Sequence, residues 1–95
     1  MIMRILAVNG HGAALGATEG RYFVILSKTD LNIGDEIAGC FDDEKHGAHL
    51  GRDMTTHDDM YFDVAMSDCS HAEGKAKLDE FRLLAENREA VHVSN

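Results

Sequence analysis

Near residue 70 the hydrophobic period of this chain changes from two to between three and four, and that change restricts the fold more than any other feature of the sequence. In DMYFDVAM, 59–66, Met60, Phe62, Val64 and Met66 alternate with Tyr61, Asp63 and Ala65, the pattern of a strand with one wet face. From Ser70 onward the spacing lengthens. Leu78, Phe81, Leu84 and Ala85 recur at helical intervals, and Ser70 with Glu73 forms an S-x-x-E capping box. The spacing predicts an amphipathic helix over 71–87, with Leu78, Phe81 and Leu84 buried against a sheet. Gly74 weakens its first turns by about 1 kcal/mol relative to alanine. The tail AVHVSN, 90–95, reads as a short last strand or a frayed end.

Ahead of residue 59 the signals are those of strands. IMRILAV, 2–8, is a short apolar run closed by Asn9-Gly10, and RYFVILSK, 21–28, is rich in aromatic and β-branched residues. Between them NGHGAALGATEG spaces its first glycines G-x-G-x-x-x-G. A dinucleotide loop needs G-x-G-x-x-G opening into a helix, so this segment is expected to be a glycine-shaped hairpin loop. In DLNIGDEIAGCF a turn around Asn32 to Asp35 leads into a third strand through Ile37, Gly39 and Phe41. The expected fold is α+β: one domain over 1–95, a small curved antiparallel sheet or partly closed barrel of four to five strands, covered by one C-terminal amphipathic helix.

Charge narrows the function. The chain carries a net charge of −8, and its acidity is concentrated: residues 30–68 hold eleven acidic and two basic side chains. Such a surface repels phosphate backbones, so direct nucleic-acid binding is not expected. A basic surface on another protein is the expected partner, with Asp35, Glu36, Asp42, Asp43, Glu44, Asp53, Asp58 and Asp59 as the contact set. These carboxylates would imitate the spaced charges of a nucleic acid. By class-level analogy with small acidic proteins of mobile elements and phages, the domain is read as an inhibitor or adaptor covering a nucleic-acid-binding surface. The plainer alternative is that the charges only keep the chain in solution. No run approaches the roughly 18 apolar residues of a spanning helix, and MIMRILAVNG does not read as a leader, so a cytoplasmic protein without membrane contact is expected.

Residues 40–59 also raise the question of chemistry, because they contain Cys40, His46, His49 and His57, with Cys69 and His71 following. Thiolate and imidazole suit zinc. Their spacing matches no paired-ligand motif, and no metal ligand, cofactor or catalytic residue is assigned. A small metal-binding or thiol-dependent enzyme stands as the runner-up reading, and an accessory barrel subunit of a larger assembly as the third. Two cysteines are too few for a disulfide framework. Reduced thiols are expected, with one Cys40 to Cys69 bridge as the alternative.

Overall fold

The computed structural model describes residues 2–39 and 49–93. The chain opens with β1, Ile2–Val8, whose Met3 and Ile5 point inward while Ile2 and Arg4 face solvent. A turn at Asn9 to Gly12 reverses it into β2, Ala13–Thr18. Asn9 holds that turn: its Oδ1 accepts the amides of His11 and Ala13, and its Nδ2 donates to the Leu78 carbonyl in the later helix. β2 then reverses tightly into β3, Arg21–Ser27. The two turn residues, Glu19 and Gly20, both have positive φ, the geometry of a two-residue type I′ hairpin.

The segment expected to be a loop therefore contains a strand. AALGAT gave no strand signal because it is buried on both faces and built of small residues, so it neither alternates nor carries β-branched bulk before Thr18. Its smallness is a packing requirement. A Cβ on Gly16 would overlap the Met3 side chain inside the barrel.

After β3 the chain crosses one end of the barrel and continues as β4, Glu36–Ala38. The long acidic stretch that follows also hides a strand, β5, His49–Asp53, ahead of the long β6, Asp58–Cys69. All strand pairs are antiparallel and the order β1-β2-β3-β6-β5-β4 closes on itself. The molecule is α+β: a closed six-strand antiparallel barrel, two three-strand meanders joined edge to edge, with one C-terminal helix against it. β2 and β5, neither visible as strands in the sequence, complete the closure.

Two cores result. Met3, Ile5, Ala14, Phe23, Ile25, Ile37, Met60 and Phe62 fill the barrel. Leu15, Val24, Cys69 and Leu78 pack with small alanines between the barrel wall and α1, His71–Val93. β6 contributes to both because its register shifts twice, with Ala65 and Asp68 as the unmatched residues. Met60 and Phe62 face the barrel interior and Val64 packs against that core, but Met66, expected on the same face, packs under the helix instead.

The capping box forms as read: Ser70 Oγ accepts the Glu73 amide, and Glu73 Oε1 accepts the Ser70 amide. α1 continues six residues beyond the expected end, to Val93, so 90–93 are helical and not a strand. Gly74 lets it lie close to the barrel, since a Cβ there would overlap Leu15 Cδ1. Leu78 is buried and Phe81 half-buried, whereas Leu84, expected to be buried, is 47% exposed. The correction is one of length. Twenty-three residues make a helix of about 34 Å, and α1 packs on β2, β3 and the end of β6 through its first half. Among the described residues no helix is long and apolar enough to cross a membrane.

Candidate interaction surface

Because α1 lies over β2 and β3, no other described element packs on the outer faces of β1, β4, β5 and the first half of β6, and among the described residues this face is bare. Residues paired directly across antiparallel strands point the same way. Ile2 pairs with Ala38, Ala38 with Arg52, and Arg52 with Asp59, so these four make one row across four strands. Arg4 opposite Glu36 and Leu50 opposite Tyr61 flank it. Three large apolar side chains on this face stand in solvent: Ile2 at 50%, Leu50 at 62% and Tyr61 at 65%. Two ion pairs frame them, Arg4 Nη2 to Glu36 Oε1 at 3.2 Å and Arg52 Nη1 to Asp59 Oδ1 at 3.6 Å. Exposed pairs of this kind add little stability, but they hold two arginines against the sheet beside the apolar residues.

The carboxylates predicted as a contact set separate into three groups. Glu36, Asp58 and Asp59 are on the bare face or at its β5–β6 turn and reach solvent. Asp42, Asp43 and Glu44 lie outside the described residues. Asp35 and Asp53 are buried, at 4% and 2% exposure, and so do not present charge to a partner.

Both buried residues build turns. Asp35 Oδ2 accepts the Asn32 amide, shaping the approach to β4, while Asp53 Oδ1 accepts the amides of Thr55 and Thr56, shaping the β5–β6 turn. The β5–β6 turn closes with His57 at φ 65° and its amide on the Asp53 carbonyl. The Asp35 carboxyl neighbours that of Asp53, so the two turns meet at a pair of buried acids. Burial, and then the neighbouring Asp53, push the Asp35 carboxyl above its ordinary range despite the Asn32 amide.

The chemistry-bearing side chains do not converge. Cys69 is a free thiol beneath the helix, bonded to the Tyr22 carbonyl at 3.5 Å. Burial pushes its thiol up, with Glu73 and Asp68 acting in the same direction, which favours the neutral form over a nucleophilic thiolate. His49 stacks on the Phe62 ring, with centroids 5.5 Å apart, and His71 meets Tyr22 edge-on at the start of α1. Among the described residues no three His, Cys, Asp or Glu side chains are grouped to hold a metal. Cys40 and His46 lie outside the described residues.

Nothing in the sequence marks Ile2 and Leu50 as surface residues, whereas Tyr61 stands out as an aromatic able to pack in the core or anchor a partner, although it is not in the expected contact set. The signal for Tyr61 was present, since it occupies the wet phase of the 59–66 alternation. Leu50, an isolated aliphatic residue in a charged stretch, gave no period to follow. The chain matches no family model, no curated protein and no solved structure.

Proposed function

We propose that this domain is a non-enzymatic, acidic interaction module that docks its bare β1–β4–β5–β6 face on a basic surface of a partner protein, and that the covered surface is one that contacts nucleic acid. In this reading it acts as an inhibitor or adaptor in the cytoplasm, with Glu36, Asp58 and Asp59 steering the approach. Asp42, Asp43 and Glu44, in the segment linking β4 to β5, belong to the same proposed set. The observation that carries the proposal is the exposed Ile2, Leu50 and Tyr61 on a continuous barrel wall, framed by Arg4 and Arg52 with their carboxylates. An apolar and aromatic centre with arginine and a polar rim is the composition of protein interfaces. The net charge of −8 selects for a basic partner.

The test is affinity capture from the native cell with two baits, the natural chain and a Leu50→Ser, Tyr61→Ser variant, at low and raised salt and with duplex DNA as competitor. The proposal expects a basic protein that the natural chain retains, that salt and DNA release, and that the variant fails to retain. Equal retention by the variant overturns it. The same exposed trio supports a second reading, an accessory subunit of a larger assembly, which differs by predicting a contact that survives raised salt and is indifferent to DNA.

A further inference from the structure

On the other side of Tyr61 the second half of α1 stands off from the barrel and leaves a groove. Its volume is about 670 Å³, and it is walled by Leu26 and Tyr61 on the barrel and by Phe81, Leu84 and Ala85 on the helix. That size falls in the range of small-molecule sites. Lys28 and Arg88 line it as well, with Asp63 as the opposing charge and His11 beside the glycine turn. Five of the described lysines and arginines, Arg4, Arg21, Arg52, Lys77 and Arg82, are paired with carboxylates. Lys28 and Arg88 are exposed and have no carboxylate partner among the described residues. His11 is 4.0 Å from Glu86 and is already engaged.

We infer that this groove binds a small amphipathic anion, its apolar body lying on Leu26, Phe81, Leu84 and Ala85 and its carboxylate or phosphate head held by Lys28 and Arg88. Two unpaired cations beside an apolar floor, in a chain with a net charge of −8, supply the complementarity. The same net charge argues for a small ligand. A polyanion or an acidic protein would meet the whole repulsive field, whereas a single carboxylate or phosphate head meets it with only about one or two charges.

The probes are dodecanoate and dodecyl phosphate below their micelle concentrations, with dodecanol as the uncharged control, titrated into the isotope-labelled full chain and followed by amide chemical shifts. Saturable shifts are expected around Leu26, Lys28, Phe81, Leu84 and Arg88 for the two anions, and none that saturate for dodecanol. Preference for one anion over the other identifies the head group. Lys28→Ala combined with Arg88→Ala should weaken binding at least about tenfold. Asp63→Asn should tighten it, because the like charge is removed. Leu50→Ser, on the bare face, should leave it unchanged, which separates this site from the proposed partner surface. Equal binding of dodecanol, an unaffected Lys28→Ala, Arg88→Ala variant, or an acidic peptide that outcompetes both anions at the same residues overturns the inference. All of these side chains reach solvent, so a thermal melt of each variant verifies that the fold is intact.

Discussion

Two residues in this chain do the opposite of what their chemistry alone suggests. Asp35 looks like surface charge, yet it lies buried against Asp53 with its carboxyl raised by burial and by that neighbour. A raised folded-state value means that the native state favours the proton. The stability this group supplies is complete below the unfolded value, about 4, and is lost as pH rises through the raised folded value. Asparagine at 35 keeps an acceptor for the Asn32 amide and a donor for Asp53 without the charge. Asp35→Asn should therefore melt higher than the natural chain at pH 7 and about equally at pH 4, in thermal melts across that range; a lower melting point at pH 7 would contradict the assignment. Gly74 looks like a weak point of the helix. Alanine there would gain about 1 kcal/mol of propensity but would be forced onto Leu15, an overpacking that costs about 1 to 3 kcal/mol. Gly74→Ala should lower stability in urea titrations, and a gain would show that the helix sits farther from the barrel. Neither role was legible beforehand, since both depend on a contact between residues distant in sequence.

At the scale of elements, legibility followed one-sided burial and bulky strand composition. β6 was readable from its alternation, β1 from an apolar run closed by a turn, β3 from its aromatic and β-branched residues although its middle is buried on both faces, and the start of α1 from a local capping box. β2 was not, because it is buried on both faces and its alanines and glycine carry no bulky strand signal. β5 was not, because a five-residue strand carrying His49, Gly51, Arg52 and Asp53 has the composition of a loop. The helix was overread in one respect: its apolar positions were all assigned to the barrel, although only its first half reaches it. The consequence is a gradient along α1. Leu78→Ala should cost about 2 to 5 kcal/mol, and Leu84→Ala should stay within about 0.5 kcal/mol of the natural chain. Chemical denaturation of the pair measures both. Equal losses would place Leu84 in the folding core and remove it from the groove.

For the whole molecule, the fold class was legible and the surface was only partly so. Net charge and its concentration in residues 30–68 could be counted from sequence, but not how folding distributes it. Folding buries Asp35 and Asp53, matches Glu36 with Arg4, Asp59 with Arg52 and Asp68 with Arg21, and leaves Asp58 and Asp63 in solvent without an ion pair among the described residues. The proposed module is thus less a field of bare carboxylates than an apolar face with an acidic margin. Charges at such a margin act mainly on the rate of encounter. The most direct measurement is the association rate constant between the captured partner and two chains, the natural one and Asp58→Asn, Asp59→Asn, at low and high salt. Association of the variant should be slower at low salt and converge with that of the natural chain at high salt, while its melting temperature holds or rises slightly as self-repulsion is relieved. Identical association rates at every salt concentration would contradict this role for the acidic margin.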